Sequence, residues 1–209
     1  MIMKKINLLF VIIIMLCVVL PIKAQMNIGV VGGLNLARIN VDPKPTGSEY
    51  STQIAFGFGG VFDYSINEFF ELRFEPIYLL KGGKITVAGV TAESKLSYLE
   101  IPIMVKYSLV ADHIKPYIMA GPTIGYNLNS KIKASMGNIS VEQDNKDNTK
   151  NVEFCFNIGA GISLPIGGNS IFFEARYSLG LIDIYEASQN DTNTNGIQLF
   201  VGLTFPIRN

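Results

Sequence analysis

The sequence predicts an all-β fold: a closed antiparallel up-and-down transmembrane β-barrel of about eight strands, following a cleaved signal peptide. Apolar and polar residues alternate with a period of two along one segment after another, and the links between segments alternate long and short. After the first 24 residues no second long apolar helix occurs.

Residues 1–24 read as a secretory signal peptide. Lys4 and Lys5 form a basic start, residues 6–20 are an apolar run broken only by Asn7, and Ala24 closes a short polar exit. A spanning helix needs about 20 apolar residues, so this run is too short to cross comfortably. Lipidation at Cys17 is the weaker reading, because small residues are missing before it and the apolar run continues past it. The chain thus divides into a signal peptide, 1–24, and a barrel domain, 25–209.

Removing the signal takes away Lys4, Lys5 and Lys23 and no acid, so 17 basic and 17 acidic residues become 14 and 17. A net charge near −3 without basic runs argues against a nucleic-acid partner. Only Cys155 remains, so no intrachain disulfide can form. The single His113 and the absence of Trp narrow the catalytic vocabulary.

Eight strand segments follow, at 26–39, 52–65, 69–81, 95–110, 115–131, 151–164, 170–182 and 196–207. The long links are 40–51, 82–94, 132–150 and 183–195; the short ones are 66–68, 111–113 and 165–169. Four long loops at one end and three short turns at the other suit an outer-membrane barrel with both termini in the periplasm. In the third segment Phe70, Leu72, Phe74, Pro76, Tyr78 and Leu80 oppose Glu71, Arg73 and Glu75. The fourth sets Leu99, Ile101, Ile103, Val105 and Tyr107 against Glu100 and Lys106. The sixth and seventh place Glu153, Glu174 and Arg176 opposite Phe154, Phe156, Phe173 and Tyr177.

Such alternation has two readings: apolar faces inward with charges in water, or apolar faces in lipid with charges in a lumen. The second is favoured. The apolar faces are long and bulky, and an eight-stranded barrel has room inside only for modest side chains. Glycines such as Gly57, Gly59, Gly121, Gly125, Gly159, Gly161 and Gly202, opposite bulky residues, fit a narrow lumen. Tyr64, Tyr78, Tyr107, Tyr126 and Tyr177, with Phe62, Phe69, Phe70 and Phe205, are available for interfacial girdles or for ordinary strand filling.

The stretches NIGVVGGLNLARI, FEPIYLLKGGKI, LSYLEIPIMVKYSL, IKPYIMAGPTIGYNLNSK, NIGAGISLPIG, FFEARYSLGLIDI and GIQLFVGLTF occur in this order. Together they resemble the PorT-type, porin-like small outer-membrane β-barrel family of the Bacteroidetes, over nearly the whole chain after the signal. The resemblance implies a small OmpA/OmpX-like barrel and an outer-membrane location, and little about activity. The end, GLTFPIRN, resembles the signal read by the barrel-assembly machinery through Gly202, Phe205 and Ile207, although Phe200 replaces the polar residue expected before Gly202.

The candidate site is a lumen charge set: Asp63, Glu71, Arg73, Glu75, Glu100, Lys106, Glu153, Glu174 and Arg176. It reads either as an ion-pair network that plugs the barrel or as a selectivity lining or proton path. The plug is preferred, since eight-stranded barrels are filled. No catalytic, cofactor or metal set is expected. His113 and Ser108 sit at a short periplasmic turn, the wrong face for chemistry on outer-leaflet lipid. Asp144 and Asp147 lack the EF-hand spacing and glycine, so the stretch VEQDNKDNTKN, 141–151, reads as a solvated, mobile extracellular loop. Cys155 reads as a small lumen-facing residue.

The function expected is non-enzymatic: an envelope structural or surface-interaction role, with outer-membrane lipid around the barrel and any protein partner on the loops 40–51, 82–94, 132–150 and 183–195. The alternatives are a narrow passive channel, a soluble periplasmic ligand-binding barrel and a lipid-modifying barrel enzyme.

Overall fold

The computed structural model describes residues 25–43, 47, 49–109, 114–186 and 191–207. The signal segment and His113 lie outside the described residues. The strands are β1 (Met26–Asp42), β2 (Glu49–Ser51), β3 (Gln53–Ser65), β4 (Phe70–Phe74), β5 (Ile77–Val87), β6 (Val90–Ser108), β7 (Lys115–Met136), β8 (Ile139–Asp144), β9 (Val152–Ile166), β10 (Asn169–Gly180) and β11 (Asp191–Ile207).

Their antiparallel pairing closes on itself. From β1 the order runs through β11, β10, β9, β7 and β6 to β4 and β5, then through β3 back to β1. Since β4 and β5 succeed one another in a single stave, eight staves make the ring; β2 and β8 are additions at one end. The closing seam matches Met26 to Ile207 at one end and Asp42 to Asp191 at the other. Closure leaves the ring without an unpaired edge, which hydrocarbon would not tolerate.

Turn chemistry explains the hairpins. Ala88 and Gly89, and likewise Gly167 and Gly168, have positive φ, and Gly137 alone does so in the β7–β8 turn. These are the signs of the primed two-residue turns, whose twist matches that of the flanking strands.

Three expectations change. The segment 69–81 is two strands, broken at Glu75 and Pro76, because proline has no N–H for the ladder. The stave still continues: Gly60 N–H donates to the Pro76 carbonyl at 3.0 Å and Glu75 N–H to the Pro102 carbonyl at 3.2 Å. The long links are largely regular structure. Residues 82–94 belong to the β5–β6 hairpin, 40–51 include the end of β1 and all of β2, and 183–195 include the start of β11. Residues 132–150, expected as a long link, hold the end of β7, all of β8 and a 3-10 turn at Lys146–Asn148. The alternation of ITV-AG-VTA and KASM-GN-ISV around each turn pair is the local cause.

A bulge marks β7. Tyr98 faces Asn127 while Ser97 faces Asn129, so Leu128 has no partner. Inward positions on β7 therefore change from odd to even above it.

The walls are apolar outside and polar inside. Ile54, Phe56, Phe58, Ile103, Ile124, Phe154, Ile158, Phe173, Leu199 and Val201 are exposed, whereas Arg73, Glu75, Glu100, Glu153, Glu174 and Arg176 are buried. That is the reverse of a water-soluble protein and suits a hydrocarbon surround. No helix among the described residues is long and apolar enough to cross a membrane. At the end that carries the termini, Tyr107 packs against Phe69 and Phe70, with ring centroids 6.3 and 5.1 Å apart. Such a cluster fits a membrane interface.

Candidate functional site

Strand alternation delivers the charged side chains to the lumen, and the ring stacks them in layers. The central layer joins Asp63 from β3, Arg73 from β4, Glu75 from the break before β5, and Glu174 and Arg176 from β10. Arg73 grips Asp63 in a two-pronged pair, Nε to Oδ1 at 2.7 Å and Nη2 to Oδ2 at 2.9 Å, and its Nη1 donates to Glu174 Oε2 at 2.8 Å. Arg176 Nη2 donates to both Glu75 oxygens at 2.6 and 2.7 Å and also to Glu174 Oε1. Both guanidinium groups stack on rings, Arg73 over Phe172 at 4.5 Å and Arg176 over Phe200 at 4.9 Å. Bidentate pairing and stacking are what guanidinium geometry favours where water is excluded.

Glycine makes this layer possible. A side chain at Gly202 would collide with the Phe172 ring, and one at Gly161 with the Tyr117 ring. Two bulky rings fit a narrow barrel because the residue paired with each on the neighbouring strand has no side chain.

Towards the end of the ring opposite the termini, the ammonium of Lys81 lies 2.5 Å from Glu100 and 3.1 Å from Glu153. It also reaches Cys155 Sγ and Thr194 Oγ1, each at 3.5 Å. The donor atoms of Glu100, Glu153 and Cys155 are close enough together to suit a metal ion. The Lys81 ammonium occupies their centre instead. Towards the termini, Lys106 pairs with Glu71 at 2.7 Å and lies over the Tyr117 ring at 4.4 Å.

Six carboxylates thus meet four cations, and hydroxyl groups cover the surplus. Tyr117 donates to Glu174 at 2.8 Å, Thr194 donates to Glu153, and Ser65 donates to Glu71 at 3.3 Å. Desolvating a charge costs several kcal/mol unless geometry and hydrogen bonds offset it. Here partners come from several strands at once, so the network ties the barrel together across its lumen.

The two mouths differ. At the end with the termini, a polar recess of about 230 Å³ is lined by Asp63, Glu71, Lys106, Ser108 and Lys115. At the other end Ile184 is buried against Ile39, Leu96 and Tyr98, with Val41 and Tyr185 packed around them. This apolar cap is tethered by Tyr185 OH to Ser94 Oγ at 3.1 Å and by the Lys150–Asp183 pair at 3.6 Å.

All nine charged residues singled out in the sequence face the lumen, and the ring brings them into contact in these layers. Lys81, Tyr117 and Thr194 were not singled out. Lys81 shares the parity of Glu71, Arg73 and Glu75, but it borders Gly82 and Gly83, where the strand was expected to end. Asp144 does not join Asp147 in a site; its carboxylate accepts the N–H of Lys146 at 2.8 Å and starts the 3-10 turn.

A closed ring with an apolar exterior and an ion-paired interior defines an outer-membrane β-barrel protein, and the outer membrane is where it resides. Residues 23–186 match the family described as outer membrane protein beta-barrel domain, and the chain belongs to that family. It is similar in structure to the outer membrane protein OprG from Pseudomonas aeruginosa, with a TM-score of 0.59 and 10% identity over 89% of this chain and 96% of that one. Neisserial surface protein A (NspA) is similar with a TM-score of 0.51 and 14% identity over 87% of this chain and 97% of that one. At these identities the likeness is one of fold. No curated protein matches the chain.

Proposed function

We propose that this protein is a non-enzymatic, sealed outer-membrane barrel that serves as a rigid mount for an extracellular interaction surface. The observation that carries the reading is the filled lumen: Arg73, Lys81 and Arg176 are each held by carboxylates from two parts of the wall and Lys106 by Glu71, beneath an apolar cap around Ile184. A conducting pore needs a continuous wetted path, and a catalytic acid or base needs a group free to exchange protons. Neither fits side chains committed to one another in this way.

Purified full-length protein in planar bilayers is the test. The expected result is no discrete conductance steps in 1 M salt. Reproducible single-channel steps would replace this reading with the narrow channel.

Within the family, we place the chain among the PorT-type, porin-like barrels of the Bacteroidetes. The support is the ordered series of motifs from residue 27 to residue 205. Insertion would depend on the barrel-assembly machinery, so depleting that machinery in a Bacteroidetes host should abolish the folded, heat-modifiable form.

A further inference from the structure

Above the last β7–β9 pair, Tyr126 with Val152, β7 continues to Met136. At about 3.4 Å per residue this carries it roughly 30 Å along its axis. There β5, β6, β7 and β8, with the short β2 beside β5, form a sheet outside the ring, and the registers give it two unlike faces. One face carries the row Val87, Val90, Met136, Ile139 and beneath it the row Ile85, Ala92, Ala134, Val141. The other carries a hydroxyl row, Thr86, Thr91, Ser135, Ser140, and beneath it Lys84, Glu93, Lys133, Glu142.

The apolar face is the continuation of the lumen-facing side, so it stands over the cap and not against lipid. It is also open, and increasingly so towards β8: Val87 is 38% exposed, Val90 41%, Met136 67% and Ile139 74%. Val90 and Met136 are flanked by strands on both sides, whereas Ile139 has one neighbour. All six residues of β8 are exposed, and among the described residues only β7 pairs with it. After a two-residue turn, backbone groups of alternate residues point away from the partner strand; on β8 these belong to Ser140 and Glu142.

We propose that β8 is a strand-addition site, and that its ligand is an extended protein segment in which apolar residues alternate with threonine or serine and lysine or arginine. The proposal rests on the surface-interaction reading above and names its partner chemistry. The apolar rows require an apolar residue beside Ile139 and another beside Val141, where burial of exposed area drives association. The charged row alternates in sign across the sheet, Lys84, Glu93, Lys133, Glu142, so the next strand would carry a base. Glu142 is a firm anion: hydrogen bonds from Lys95 and Lys131, and their charges, hold its carboxyl below the ordinary carboxylate range. Main-chain hydrogen bonds would supply affinity and the alternating side chains specificity, as in other strand-addition complexes.

A second copy of this chain fits less well. Two barrels rooted in one membrane hold their β8 strands in the same direction, so an antiparallel pair cannot form, and no base would stand beside Glu142.

The test uses the full-length protein folded in nanodiscs. The probe is an eight-residue amidated peptide repeating valine, threonine, isoleucine, lysine, compared with the same peptide carrying glutamate for lysine and with one interrupted by proline. Expected are saturable binding of the lysine peptide, new amide-exchange protection at Ser140 and Glu142, weaker binding of the glutamate peptide and none of the proline peptide. Val141→Lys, with its heat-modifiable mobility unchanged, should weaken binding about tenfold, and Glu142→Gln should erase the preference between lysine and glutamate. Equal binding of the proline peptide, absence of protection on β8, or cross-linking of β8 to a second copy would each overturn the proposal. A silent bilayer trace beside such a failure leaves the sealed barrel standing, whereas conductance steps beside intact peptide binding would remove the sealed barrel alone.

Discussion

Arg73 donates to carboxylates on two strands, Asp63 on β3 and Glu174 on β10, and lies over the Phe172 ring. Removing it leaves two buried carboxylates short of their cation, the situation in which breaking a buried pair costs roughly 3–5 kcal/mol. Arg73→Ala should therefore lower the midpoint of heat-induced mobility change sharply, and Arg73→Lys should recover only part, since an ammonium cannot reproduce the two-pronged contact. An unchanged midpoint would mean the central layer adds nothing to stability. At this scale the candidate site was readable, because parity alone assigns a side chain to the lumen. Parity cannot say which acid meets which base: the partners of Arg73 are 10 and 101 residues away.

Among the elements, the β5–β6 hairpin was expected to be a loop, although the sequence carried its signal. Its turn is made by Ala88 at φ 48° and Gly89 at φ 81°. A residue with a Cβ in that region is strained by about 1–2 kcal/mol, less for asparagine, whose side chain bonds locally. Ala88→Asn should thus stabilise the hairpin by about 1 kcal/mol, seen as higher amide protection in Ile85 and Ala92 with the barrel staves unchanged. Lower protection would mean the turn tolerates alanine for another reason. The broken stave at Pro76 has a different logic. Proline predicts an interruption, but only the neighbours Gly60 and Pro102 decide that the stave resumes on the far side. The bulge at Leu128 had no signal of its own, because it is a relation between β6 and β7.

For the whole molecule, the outer wall sets the environment. Phe173 lies mid-stave, opposite Ile162 and Val201, and is exposed with them on the apolar surface. Phe173→Arg should destabilise the inserted barrel by about 2–4 kcal/mol at the midplane of the bilayer. The measurement is refolding yield into vesicles followed by gel mobility, and normal insertion would contradict a lipid-facing wall.

Period-two alternation, link lengths and turn pairs are local properties, so the sequence by itself determined the all-β class, the lumen parity of the nine charged residues and the presence of a short-turn end. Closure is not local. The β1–β11 seam, the partner of each buried charge, the apolar cap over the mouth and the shared face of the sheet beyond the ring all join residues far apart in the chain. Only the tertiary structure could decide them, because a pairing register is chosen by the strand opposite and a buried ion by whichever facing wall brings its counter-charge within reach.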